Sequence, residues 1–172
     1  MRLADFLRPD LIKMNMEARS REEAIAELLD VLVQAHEVSY ARRDGVLEAL
    51  LDRESILGTG MEYGVAIPHA MSELVDDTVA ALGTVPAGIP FESLDGAPTR
   101  LVLLMVSPKN DFAGRVRINS YVGRLFSNPA VVETLVSQPD AQSLLDLMTC
   151  METEFPPPET RQAPGQARSS DS

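Results

Sequence analysis

His69, one of the chain's two histidines, directly follows a proline at the end of a short apolar run, Val65, Ala66 and Ile67. Gly58, Gly60 and Gly64 stand just upstream, so the backbone there can take conformations closed to residues with a Cβ. A short buried strand over residues 65–67 would deliver His69 to the mouth of a sheet, with Pro68 fixing the approach. That arrangement presents a single reactive imidazole. A hydrolase using it as general base would need a nucleophile beside it, and neither a Gly-x-Ser-x-Gly elbow nor a paired nucleophile is present. The same pattern also describes an ordinary strand end carrying a structural histidine. The glycines do not make a nucleotide loop, because no Lys-Ser/Thr pair follows and no helix opens there.

The other chemistry-bearing residues have plainer readings. His36, just past a helical stretch, reads as a C-terminal cap, and Cys150 reads as a small apolar filler near the end of the last helix. A lone cysteine rules out an internal disulfide and suits a reducing compartment. One cysteine and two histidines are too few for a cysteine/histidine zinc site, so neither a metal nor a cofactor is expected. The formal net charge of −11 argues against nucleic acid and suits a basic protein partner steered in by charge. No apolar run is long enough to cross a membrane, and the opening Met1-Arg2-Leu3-Ala4-Asp5-Phe6-Leu7-Arg8 is too mixed for a secretion signal. The expectation is a cytoplasmic protein without membrane insertion.

The elements that must position His69 follow from periodicity. Ser20-Arg21-Glu22-Glu23 reads as a capping box, with Glu23 reaching back to the cap amide, and opens a helix to about residue 34. A second helix is expected over about 40–51, with Val46, Leu47, Leu50 and Leu51 inward. Strands are expected at 65–67, 78–85 and 99–106. The last is continuously apolar, which implies a central strand covered by helices on both faces. Asp95-Gly96 supplies the turn before it. Further helices are expected over about 115–127, from the Asn128 cap and Pro129 to about 137, and over about 140–152. Residues 1–152 read as one α/β domain. Residues 153–172, rich in Pro, Ser, Gln and Arg, read as a disordered tail, because they offer too little apolar surface to offset the entropy of ordering.

Four segments carry a family resemblance: Leu3-Ala4-Asp5-Phe6-Leu7-Arg8-Pro9-Asp10; Ala18-Arg19-Ser20-Arg21-Glu22-Glu23-Ala24; Arg53-Glu54-Ser55-Ile56-Leu57-Gly58-Thr59-Gly60 running into Gly64-Val65-Ala66-Ile67-Pro68-His69; and Phe91-Glu92-Ser93-Leu94-Asp95-Gly96-Ala97-Pro98 with the apolar strand and Ser107-Pro108. Over roughly residues 3 to 150 the chain resembles the fructose/mannitol-type IIA domain (EIIA type-2) of the bacterial phosphoenolpyruvate-dependent phosphotransferase system. Within that family it resembles the nitrogen-related regulatory branch. The resemblance implies a mixed, mostly parallel β-sheet with helices on both faces. It implies that His69 accepts a phosphoryl group from the phosphocarrier HPr, and that Arg53 lies near it and helps hold the phosphate. Transport members pass the group to a cysteine on a IIB domain, while regulatory members use the phosphorylation state to control a target protein; the expectation here is regulatory. The alternative is a degenerate module that keeps the fold and binds partners without being phosphorylated.

One departure stands out. Where transport members and many regulatory ones place a second histidine, this chain has Arg115. Phosphoryl transfer needs a neutral imidazole as nucleophile, and nearby cations lower a histidine's pKa and so favour that form. Arg53 serves that purpose and also grips phosphate oxygens with its planar fork. If Arg115 faces the same cleft, it adds a second permanent cation. The expectation is then a site that favours the phosphorylated state and slows onward transfer, as in a sensor or store.

Overall fold

The computed structural model describes residues 2–158. Its α-helices, α2 apart, begin where short polar side chains precede an apolar stripe. Ser20 accepts the Glu23 N–H at 3.2 Å and starts α1 (Arg21–Gln34). The expected reciprocal bond differs by one residue: Glu23 accepts the Arg19 N–H, not that of Ser20. His36 takes the left-handed position just past α1 at φ 62°, and the Glu37 N–H closes onto the Leu32 carbonyl at 2.9 Å. That is the capping role expected of it.

A short 3₁₀ turn, Tyr40–Arg42, leads into α2 (Arg43–Ile56), which runs past the expected end at Leu51. The reason is visible in its buried stripe of Val46, Leu50 and Glu54. The third occupant is charged, so an apolar pattern cannot show that the helix continues. Asp111, Asn128 and Asp140 then cap α3 (Phe112–Leu125), α4 (Pro129–Val136) and α5 (Ala141–Glu154). Capping by Asp111 starts α3 earlier than the expected 115 and places Arg115 inside its first turn. Cys150 is exposed on α5, which corrects its reading as a filler. Residues 159–172 of the tail lie outside the described residues, while Thr153 and Glu154 close α5.

Among the described residues five strands form one sheet: β1 (Ile12–Lys13), β2 (Val65–Ala66), β3 (His69–Ser72), β4 (Val79–Ile89) and β5 (Thr99–Pro108). The order is β1-β4-β5-β2, with β3 also on β5; β4 and β5 are antiparallel and the other pairings parallel. Residues 79–85 of β4 and 101–107 of β5 are buried without alternation, so both faces are covered, as a mixed α/β sheet with helices on each side requires. α1 and α4 both pack on β4 and β5, and α2 packs on β3.

β2 and β3 are one extended run broken at a single place. Val65 pairs with Leu101 and His69 with Met105, so the register is continuous across the gap. Pro68 has no N–H to give the ladder, while its carbonyl still accepts the Met105 N–H at 3.0 Å. His69 is therefore the first residue of a new strand rather than the end of the old one. Among the described residues no helix is long and apolar enough to cross a membrane.

Candidate active site

His69 is half-buried, and its Nδ1 lies 2.8 Å from the Ile67 carbonyl oxygen. A carbonyl only accepts, so Nδ1 carries the proton of the neutral ring and Nε2 keeps the free lone pair. Strand alternation sets this up: Gly64 and Pro68 give their carbonyls to β5, whereas Ile67 faces the other way, its N–H on the Thr59 carbonyl and its own carbonyl on the ring. Burial pushes the His69 pKa below its ordinary 6.5, and the charges of Arg53 and then Arg115 push it the same way. The Ile67 carbonyl and the Glu54 carboxylate oppose them. The net result is an imidazole held neutral with one nitrogen available.

The three residues singled out from sequence come from different elements, and both arginines lie near enough to His69 for their charges to lower its pKa. Arg53 comes from the last turn of α2, where its Nη1 donates to the Leu57 carbonyl at 2.8 Å. His69 opens β3. Arg115 comes from the first turn of α3, with its guanidinium carbon 4.9 Å from the centre of the Phe112 ring. Arg115 Nε is buried and has no hydrogen-bond partner among the described residues. One turn further along α3, Asn119 Oδ1 is likewise buried and unpartnered.

The loop from Leu57 to Gly64 is tightly specified. Tyr63 and Gly64 both have positive φ, 63° and 76°, and Asp95 Oδ2 accepts the Tyr63 N–H at 3.0 Å. Gly60 sits where any Cβ would run into the Glu92 carbonyl. Glu54, only 3% exposed, accepts the Thr59 N–H at 3.0 Å and the Thr59 hydroxyl at 2.6 Å. Sequence reasoning passed over Glu54, Thr59 and Asn119. The available signal for Glu54 was its place beside Arg53, one helical turn beyond Leu50 on the inward stripe.

A groove of about 630 Å³ lies elsewhere, between α3, α4 and α5, lined by Tyr121, Arg124, Met151 and Phe155 among others. None of the three site residues borders it.

A family model described as phosphoenolpyruvate-dependent sugar phosphotransferase system, EIIA 2, matches residues 5–150, and the chain belongs to this family. It is 28% identical over 148 residues to a nitrogen regulatory protein of Bradyrhizobium diazoefficiens, covering 86% of this chain and 95% of that one. It is 29% identical to part of the fructose-specific EIIABC component of Bacillus subtilis, covering 86% of this chain but only 23% of that longer protein. Among solved structures it matches the nitrogen regulatory protein IIA-Ntr of Neisseria meningitidis at TM-score 0.77 and 25% identity, over 85% of this chain and 98% of that one.

Proposed function

We propose that the protein is a regulatory histidine phosphocarrier: His69 Nε2 accepts a phosphoryl group from a phosphorylated HPr-type protein, and the phosphorylation state governs a partner. The observation that supports this reading is the His69 ring itself, with Nδ1–H tied to the Ile67 carbonyl, Nε2 left without a hydrogen bond among the described residues, and a pKa lowered by burial and by the charges of Arg53 and Arg115. In the transfer, the Nε2 lone pair attacks phosphorus while the donor's P–N bond breaks and its electron pair stays on the donor histidine. No proton need move on His69. Arg53 and Arg115 stabilise the phosphoryl oxygens in flight and after arrival.

A protein donor fits the surroundings. Ile56 is 81% exposed, Leu57 67% and Phe112 60%, and these apolar side chains flank Arg53 and Arg115 in sequence. The regulatory role rests on the near full-length similarity to nitrogen regulatory proteins, and a IIB domain is the acceptor to expect if the role is instead transport. The test is incubation with phosphoenolpyruvate, enzyme I and HPr, followed by intact mass under non-acidic conditions. One acid-labile phosphoryl group on wild type and none on His69→Ala is the expected result. An adduct that survives in His69→Ala removes His69 from the role, and no adduct on wild type favours a binding module.

A further inference from the structure

Resting on the reading of His69 as acceptor, we propose that Glu54 is a positioning residue for it, acting through Thr59 and Ile67. Glu54 sits on the buried stripe of α2, where an apolar side chain would serve packing better. Its two oxygens are both committed to one residue, accepting the Thr59 backbone N–H at 3.0 Å and hydroxyl at 2.6 Å. Thr59 in turn offers its carbonyl to the Ile67 N–H at 3.1 Å. Ile67 then offers its own carbonyl to His69 Nδ1 at 2.8 Å.

Four residues are therefore joined by hydrogen bonds running in one direction, from the imidazole to a buried carboxylate. The Cα atoms of Ile67 and Thr59 interrupt any electronic relay between successive peptide groups, so the chain acts by geometry. Ile67 is the residue that needs such an anchor. It lies in the gap between β2 and β3, outside both strands, and its peptide is held on one side by Thr59. Without the Glu54 clamp, the Leu57–Gly60 loop loses its buried fixed point, the Ile67 carbonyl can drift, and the ring loses the contact that selects Nδ1–H.

Substitutions separate anchoring from charge. Glu54→Gln can keep both contacts, its carbonyl oxygen accepting the Thr59 N–H and its amide donating to the Thr59 hydroxyl oxygen. Glu54→Ala removes both, Thr59→Val removes the hydroxyl contact at constant shape, and Thr59→Ser restores it. The first readout is the His69 tautomer in the unphosphorylated protein, by long-range ¹H–¹⁵N NMR at a pH above the ring's titration. The second is the rate of phosphorylation by phospho-HPr.

Wild type, Glu54→Gln and Thr59→Ser should show one tautomer, Nδ1–H. Glu54→Ala should show a mixture and a roughly 10- to 100-fold slower rate, the scale of a misplaced reacting group. Thr59→Val should fall between, and decides the matter if Glu54→Ala does not fold. A single Nδ1–H tautomer in Glu54→Ala or Thr59→Val overturns the proposal, as does a Glu54→Gln variant as impaired as Glu54→Ala, which would make charge the agent. If wild type takes no phosphoryl group while the tautomer still changes in Glu54→Ala, the phosphocarrier reading falls and the positioning role stands.

Discussion

Replacing Arg115 with glutamine removes the guanidinium and leaves an uncharged polar side chain two bonds shorter. In the free protein Arg115 Nε is buried without a partner among the described residues, and an unsatisfied buried donor costs about 1–3 kcal/mol. A phosphoryl group on His69 would supply acceptor oxygens, and a hydrogen bond between charged groups contributes about 1.5–3 kcal/mol. The first effect raises the free form and the second lowers the phosphorylated form, so both shift one equilibrium the same way. Arg115 is only half-buried and Arg53 would share the phosphate, so solvent and the second arginine reduce the sum. A net loss of about 1.5–3 kcal/mol remains, roughly 10- to 100-fold in the equilibrium constant. The assay is equilibration of wild type and Arg115→Gln against the same HPr/phospho-HPr pool, with the phosphorylated fraction read by intact mass. Arg115→Gln should hold at least tenfold less, with a thermal midpoint no lower than wild type. A shift under twofold would mean that Arg115 does not reach the phosphate, and a lower midpoint would refute the cost assigned to Nε. Arg115→His should speed phosphoryl loss to an acceptor, and an unchanged or slower rate would count against a holding role.

Three further outcomes follow. The His69 ring should titrate below 6.5, and Arg53→Gln should raise its midpoint; an NMR titration at or above 6.5 refutes the account of burial plus two cations. With the folded value below the unfolded one, the unfolded chain binds more protons between the two. His69 therefore reduces stability progressively as pH falls from about 6.5 to the folded midpoint, and adds nothing more below it. Glu152, fully buried on α5, accepts the Leu3 N–H at 2.6 Å and the Ala4 N–H at 2.9 Å, and with burial it pushes the Tyr121 pKa upward. Glu152→Ala should cost roughly 2–4 kcal/mol by leaving two backbone donors unpaired, read by urea denaturation, while a loss under about 0.5 kcal/mol would show the cap to be idle. Gly60→Ala should cost about 1–3 kcal/mol, because its Cβ meets the Glu92 backbone, and should slow phosphorylation; wild-type rate and stability together would show that the loop gives way freely.

The α/β class, the order of the main elements and the Ser20, Asn128 and Asp140 helix starts were legible because each rests on local chemistry that a sequence displays. What escaped was decided by single residues breaking a pattern. Glu54 ends the apolar stripe of α2 on paper but continues it in space, since Thr59 satisfies its charge. Pro68 divides one strand into β2 and β3 without shifting its register, so the run looked like an ending. Cys150 looked like a filler because burial at a helix end depends on what packs there, and nothing in its neighbours' types shows that. That the charges of Arg53 and Arg115 bear on His69 was reachable through resemblance and not through periodicity, because the three lie on elements far apart in sequence.

A carrier works only if the group it holds can leave, and two arginines change the energetics of leaving. A titratable ring at position 115 could lose its proton as the phosphate departs, so the site would return to low charge. Arginine cannot, because its guanidinium stays protonated throughout the physiological range. If His69 carries the phosphoryl group as proposed, its departure would leave two cations near a neutral, partly desolvated imidazole, and the same two charges that would help the group arrive would oppose its release. The acceptor must then supply the compensation by bringing its own negative charge or acceptor oxygens to Arg53 and Arg115 at the moment of transfer. For a sugar-transport relay that requirement would limit flux. For a regulatory protein it would lengthen the phosphorylated state and make its discharge depend on one suitably charged partner, so on the proposed reading an arginine at position 115 fits a signal better than a conduit.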